Sequence, residues 1–264
     1  MKCRYLVLQS FFCFGLSTLL FAEEPKGFVI TTNEAYQVER RLNAYEIDQI
    51  SIFDLNENAS PEENRELIGF YLLHTNGVSL KVKMAVARSY MFFRLYPEAI
   101  KLSVEYLNVN SNDFHAWNVL GTCYMGSKSY DKCMDAFSNA VRLGDKMSYI
   151  SLVGAALLGE RWEIVQGAIP KLMELKKADH LSQDDEHNML VILLSYSIKF
   201  EQQDVFVKAF DGVSSEQILS GEDSKQLATL GCQIFKGKDI DRIRKELEAA
   251  EAKGSNSTTN APSP

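Results

Sequence analysis

The sequence contains little proline and little glycine: 6 and 15 residues, respectively, in a chain of 264. An all-β protein needs many tight turns, and these two residues are the usual means of making them. Their scarcity argues against an all-β fold. Residues that favour helices, such as Leu, Ala, Glu and Lys, are common, so we predict an all-α protein.

Long apolar runs are also missing, with one exception at the N-terminus. Lys2 and Arg4 precede an apolar run from Tyr5 to Phe21, and Ala22 is followed by acidic residues. This order is typical of a secretory signal peptide. We therefore predict that residues 1–22 are cleaved and that the protein is periplasmic or secreted.

An uncleaved membrane anchor is the alternative interpretation of this run, because it approaches the ~20 residues that span a bilayer. The protein would then be a membrane-tethered assembly factor. No later segment is long and apolar enough to cross a membrane, so the chain after Ala22 is expected to be soluble.

Positive charge is in short supply. The chain has 28 Lys and Arg against 35 Asp and Glu, a net charge of −7. Cleavage after residue 22 would remove two basic and no acidic residues, giving −9. Nucleic-acid binding needs clustered Lys and Arg to neutralise phosphates, so nucleic acid is not an expected partner.

Cysteine is sparse, and only Cys123, Cys133 and Cys232 lie beyond the predicted cleavage point. An odd, small set does not make a disulfide framework. Two interpretations of Cys123 and Cys133 are open: small apolar residues within helices, or a pair that is oxidised in an oxidising compartment.

The clearest periodic pattern lies between residues 116 and 141. One predicted helix has a face formed by Trp117, Leu120, Gly121 and Tyr124, and the next has a face formed by Cys133, Phe137 and Ala140. Two short helices joined by a tight loop pack antiparallel and need a small residue where they cross. We predict that Gly121 faces Cys133 there, with Trp117 and Phe137 filling the space beside them.

This spacing resembles the tetratricopeptide repeat (TPR), a unit of 34 residues that forms two antiparallel helices. Cys133 stands where the family usually has alanine, and Asp145 where it often has proline. One period earlier, Tyr90 and Ala99 fall at matching positions. Two consecutive units are therefore predicted, at residues 80–113 and 114–147.

The pattern weakens elsewhere in the chain. Degenerate helix pairs are predicted at residues 146–180, 186–213 and 224–253. Pro170 is expected to kink or end the second helix of the first of these pairs. Residues 23–79 are predicted to form an N-terminal helical segment, with a degenerate repeat as an alternative, and residues 254–264 a disordered tail.

Two helix starts carry the spacing of a capping box, in which a serine and an acidic residue three positions later satisfy each other's backbone N–H. They are Ser60 with Glu63 and Ser182 with Asp185.

The resemblance implies an α-solenoid, a superhelix of stacked helix pairs whose first helices line a concave groove. In this family the groove holds an extended peptide or a partner helix. The groove positions of the family correspond here to Lys81, Met84, Arg88, Met91, Phe92, His115, Asn118, Thr122 and Met125. Methionine adapts to irregular apolar partners, so an apolar protein segment is the expected partner. Each methionine has an alternative role in packing between units.

One subset of the family grips C-terminal carboxylates with a Lys and an Asn in the groove. This chain does not match that subset, because Met84 and Val119 occupy the two positions.

Catalytic motifs are missing from the sequence: the four histidines are dispersed, and no HExxH, GxSxG or phosphate-binding glycine loop occurs. The densest polar cluster contains Asp179, His180, Asp184, Asp185, Glu186 and His187. We interpret it as a solvated acidic turn, and a metal-binding or enzyme-associated module at residues 179–187 is the alternative. We predict a non-enzymatic protein–protein interaction scaffold of an envelope or secretory complex, with no catalytic residue, metal or cofactor.

Overall fold

The computed structural model describes residues 60–73, 78–177 and 181–257. All regular elements within these ranges are helices, and no strand occurs among them, so the predicted all-α fold is confirmed. The helices are α1 (Pro61–Leu73), α2 (Leu80–Phe92), α3 (Tyr96–Leu107), α4 (Phe114–Gly126), α5 (Tyr130–Arg142), α6 (Ser148–Leu158), α7 (Trp162–Leu175), α8 (Gln183–Lys199), α9 (Gln203–Ala209), α10 (Ser215–Ser220), α11 (Glu222–Ile234) and α12 (Lys238–Ser257).

The described residues divide into two compact units, with the division between Ala155 and Ala156 in α6. We call them the N-terminal unit and the C-terminal unit. In the N-terminal unit, α2 packs against α3 and α4 against α5, and both α2 and α3 also contact α4. Helices thus pack in sequential pairs, as expected for a TPR-like fold. The first two pairs fall within the predicted units at 80–113 and 114–147.

The turn between two consecutive helices has the same backbone form at four places in the described residues. Its central residue lies in the left-handed region, with φ between 53° and 60°, at Arg94, Lys128, Glu160 and Glu201. The next residue's N–H then bonds to the carbonyl five positions back, as in Ser129 to Tyr124 at 2.8 Å. Non-glycine residues seldom adopt this conformation, so it could not be predicted from the sequence.

Several helix starts are capped by side chains, including the two at which the sequence predicts a capping box. Ser60 Oγ accepts from the Glu63 N–H at 3.2 Å, and Glu63 Oε2 accepts from the Ser60 N–H at 2.7 Å, so the predicted capping box is confirmed. Ser182 Oγ accepts from the Asp185 N–H at 3.1 Å, but the Asp185 carboxylate accepts from the Ser182 hydroxyl instead of its backbone. The second box is therefore only half formed.

Gly121 meets the ring of Phe137, whereas the sequence predicted Cys133 as its partner. A Cβ on Gly121 would lie 2.8 Å from Phe137 Cε1. Cys133 precedes Phe137 by one helical turn and is buried in a cluster with Phe137 and Ala155. An aromatic ring is therefore the group nearest to Gly121, and the facing of Gly121 and Cys133 stays a prediction.

The other repeat residues divide into a buried and a half-buried set. The buried ones are Tyr90, Ala99, Leu120, Cys133, Phe137 and Ala140, and the half-buried ones are Trp117 and Tyr124. Trp117 packs on the edge of the core, and its indole N–H donates to the Ser111 carbonyl at 2.8 Å. Trp117 therefore fills the helix crossing only in part.

Cys123, Cys133 and Cys232 are all buried free thiols. Burial raises the pKa of both Cys123 and Cys133 to about 12. Of the two interpretations, small apolar residues within helices is confirmed.

In the C-terminal unit, α8 is buried continuously from Met189 to Ile198 and packs against α7, α9 and α11. The short helix α10, which the sequence analysis did not predict, packs against α11 and α12. Helix α12 continues to Ser257, so the tail predicted from residue 254 is wrong for residues 254–257, and the rest of that tail lies outside the described residues.

Helix α7 does not end at Pro170 but continues to Leu175, so a helix end at this proline is ruled out. Proline removes the hydrogen bond to the carbonyl four residues earlier, which belongs to Gln166. Both Pro170 and Gln166 are exposed, so water can replace the lost bond.

Asp223, in the first turn of α11, is a buried carboxylate with an exposed fraction of 4%. Neither of its carboxylate oxygens has a hydrogen-bond partner among the described residues. Burial, followed by the negative charge of Glu222, raises the pKa of Asp223 to about 6. The surroundings of Asp223 therefore favour the neutral acid over the ionised carboxylate.

We expect Gly231→Ala to destabilise the protein by about 1–3 kcal/mol through overpacking. The new Cβ would lie 1.9 Å from a ring atom of Phe206, whose side chain is fully buried and has no room to move. The control is Gly167→Ala in α7, where a Cβ meets nothing within 4 Å and better helix propensity should add about 0.5–1 kcal/mol. Urea unfolding measures both, and equal stability of the two variants would contradict this packing.

We expect Asp223→Asn to stabilise the protein at pH 8 by about 1–3 kcal/mol, since it removes a buried unpaired charge. Because the pKa of Asp223 is raised on folding, the folded state binds more protons, and the parent should lose stability as the pH rises from about 4 to about 6. The variant should lack this loss. Asp204→Asn, an exposed first-turn carboxylate in α9, is the matched control. Stability is measured by thermal unfolding at a series of pH values. If the parent and the Asp223 variant change in stability with pH in the same way, the raised pKa of Asp223 is refuted.

Candidate functional site

The predicted groove residues lie on two helices that contact each other, α2 and α4. On α2, the positions of Lys81, Arg88, Met91 and Phe92 share one face. The corresponding face of α4 contains His115, Thr122 and Met125. These seven residues define what we call the α2–α4 face.

The α2–α4 face is open to solvent. Phe92 has an exposed fraction of 53%, and Lys81 and Thr122 are also exposed. The remaining four residues of the face are half-buried. A partner approaching this face would meet an aromatic ring, two thioethers and basic side chains.

The exposed ring of Phe92 is held by its neighbour in the chain. Phe93 packs edge-on against it, with ring centroids 5.1 Å apart and an angle of 88° between the planes. Phe93 itself is half-buried against the core of the N-terminal unit. The Phe92 side chain is therefore supported from below, while its outer side remains in contact with water.

Met84 does not belong to this face, contrary to the prediction. Its exposed fraction is 1%, and it is part of the core of the N-terminal unit. Helix α2 is contacted by α1 and by α4, and a long side chain in the middle of α2 is enclosed by these neighbours. Met84 thus takes the alternative role, packing between helices.

Asn118 is used inside the protein. Its Nδ2 donates to Asp145 Oδ2 at 2.6 Å, and its Oδ1 accepts from the Ser148 hydroxyl. Asp145 also accepts from the Met147 N–H at 3.0 Å. Although burial favours its neutral form, the hydrogen bonds from Asn118, Ser148 and the backbone hold the pKa of Asp145 below its ordinary value. Asn118 therefore positions the start of α6 and is not available to a partner.

Asp113 plays a similar part at the start of α4. Its Oδ1 accepts from the backbone N–H of His115 and Ala116, and its Oδ2 accepts from the Tyr106 hydroxyl at 2.8 Å. The sequence analysis missed this cap and that of Asp145. An aspartate directly before an apolar helical pattern was the signal that could have revealed the first of them.

The acidic segment before and within α8 does not assemble a metal site in the part of the chain that the structure describes. No group of three or more His, Cys, Asp or Glu side chains that could hold a metal ion occurs there, and Asp179 and His180 lie outside it. Asp184, Glu186 and His187 line a cavity of about 210 Å³ together with residues of α10.

His187 packs closely against the backbone at Gly221, where a Cβ would come 2.2 Å from its Cε1. Its Nε2 is buried and has no hydrogen-bond partner in the described structure. Burial lowers the pKa of His187, although the charge of Asp184 opposes the shift. A neutral packing role accounts for these features.

Within the described ranges, no helix is both long enough and apolar enough to span a membrane. The predicted signal segment, residues 1–22, lies outside these ranges.

The chain has a distant similarity to a known protein. No family model matches the chain. BBSome complex member BBS4 of Bos taurus is 26% identical to it over 158 residues, which is 59% of this chain and 28% of the relative. The chain therefore matches less than a third of that relative's length. The repeat spacing and the paired helices make this chain TPR-like, and the similarity relates part of it to a member of a multiprotein complex.

Proposed function

We propose that this protein is a non-enzymatic scaffold that binds a segment of a partner protein on the α2–α4 face. The observation that carries the proposal is the exposure of Phe92, supported from below, on the first helix of one pair beside the first helix of the next. An exposed apolar patch with a polar surround is typical of an interaction surface.

Two further facts support a protein as the ligand. The face spans two contacting helices, which suits an extended segment or a helix as the ligand. The relative is by name a member of a complex, so we infer that this chain also acts by joining other proteins.

Export is a separate part of the proposal. It rests on Lys2 and Arg4, the apolar run from Tyr5 to Phe21, and Ala22 at the predicted cleavage point. We propose that the scaffold works in the periplasm or outside the cell, in an envelope or secretory complex.

Binding can be tested by capture of proteins from an extract of the native cell on the immobilised full chain. Phe92→Glu and Thr122→Glu place a charge on each helix of the face and should reduce capture of specific partners at least about fivefold, as for loss of an interface anchor. Val109→Glu, at an exposed apolar residue in the α3–α4 link, is the matched control and should capture normally. Thermal unfolding checks that all variants are folded. If every variant captures the same proteins in the same amounts as the parent, the α2–α4 face is not the binding surface.

Export can be tested by intact-mass measurement of the chain produced in its native host. The expected mass is that of a chain starting at Glu23, and replacement of Lys2 and Arg4 by Glu should block processing, since the positive n-region is lost. A mature chain that keeps residues 1–22 would rule out cleavage, and its recovery with membranes would favour the anchor.

A further inference from the structure

We propose that the partner segment of the α2–α4 face carries an acidic residue and a large apolar residue at a defined spacing. This inference rests on the proposed function and specifies the chemistry of the partner.

Charge is unevenly distributed over the helices of the N-terminal unit. Neither α2 nor α4 contains a single Asp or Glu, and α2 contains three basic residues. Acidic side chains lie on three other described helices of this unit, with Glu62, Glu63 and Glu66 on α1, Glu98 and Glu105 on α3, and Asp131 and Asp135 on α5. The chain as a whole has a net charge of −7, but the two helices of the face contain no acidic residue.

Two lysines of α2 differ in whether a partner can pair with them. Lys83 is paired within the protein, with its Nζ 3.0 Å from Glu105 Oε2. Lys81 is exposed, and no acidic side chain in the described structure lies within ion-pair distance of it. A carboxylate on a partner would therefore gain an attraction at Lys81 without displacing an internal one.

The positions of Lys81 and Phe92 on α2 determine the spacing. Lys81 lies near the start of α2 and Phe92 at its end, eleven residues later. A helix rises ~1.5 Å per residue, so the two Cα atoms are about 16 Å apart. An extended segment covers that distance in about five residues, and a helical segment in about eleven. We therefore expect the acidic and the apolar residue of the partner at one of these two spacings.

This chemistry differs from recognition of a C-terminal carboxylate by paired Lys and Asn side chains in the groove. Met84 and Val119 are both buried in the core, so no polar group is offered at those two positions. An internal acidic side chain, not a chain terminus, is the group that fits a single exposed lysine at the edge of the face.

The inference is tested by selection of binders from a random-peptide display library on the immobilised full chain. We expect enrichment of peptides with Glu or Asp and a large apolar residue at one of the two spacings. Selected peptides are then synthesised, and their affinities are measured by fluorescence anisotropy. Lys81→Glu should weaken binding about tenfold, whereas Lys101→Glu, at an exposed lysine on α3, should leave it unchanged.

A charge-sign test at Thr122 separates electrostatic attraction from simple blocking of the face. Thr122→Lys should strengthen binding of the acidic peptides and Thr122→Glu should weaken it, because the two replacements are of similar size but opposite charge. Equal losses in both variants would overturn the inference.

The remaining outcomes distinguish this inference from the proposed function. Enriched peptides that lack acidic residues, or acidic peptides that bind Lys81→Glu as well as the parent, overturn the inference and leave the face as a binding surface. Failure to enrich any peptide against the parent overturns both.

Discussion

An aromatic ring seated against a glycine is the contact on which the helix pairing depends. The ring of Phe137 on α5 lies against Gly121 on α4 within one pair, and the ring of Tyr96 on α3 of the preceding pair lies against Gly126 on α4. In the C-terminal unit, the ring of Phe206 lies against Gly231. At each of these positions a single Cβ would come within 3 Å of the ring, so only glycine allows the helices to approach this closely. The same contact thus operates within a pair and between pairs.

The sequence predicted the helix pairs because they depend on the spacing of large and small residues, which is visible in the sequence itself. It did not predict the partner of Gly121, since a helical face fixes the direction of a side chain but not its position along the opposite helix. Phe137 and Cys133 share that face of α5 and lie one helical turn apart along it. The burial of Met84 was missed for a related reason: exposure in the middle of α2 is decided by α1 and α4, which are remote in sequence.

Caps and turns explain how the pairs are joined without losing hydrogen bonds. Asp113 and Asp145 satisfy backbone N–H groups at helix starts and also bond to Tyr106 and Asn118 on earlier helices. Asp113, Asp145 and Asn118 therefore form hydrogen bonds within the protein. The left-handed turns, as at Lys128, satisfy carbonyls at the opposite ends. The polar groups at these helix ends are therefore satisfied within the protein.

Phe92 and Lys81, at opposite ends of α2, contribute to recognition in different ways. Phe92 contributes apolar surface, and Lys81 contributes charge. Phe92 keeps an exposed fraction of 53%, which for a phenylalanine leaves on the order of 100 Å² of apolar surface in water. Its removal from water by a partner is worth about 2.5 kcal/mol, comparable to the cost of truncating a strong interface anchor. An exposed ion pair at Lys81 is worth ~1 kcal/mol or less and is weakened by salt. The lysine therefore adds little affinity but disfavours basic partners, so the aromatic ring sets how tightly the face binds and the charge sets which segments it accepts.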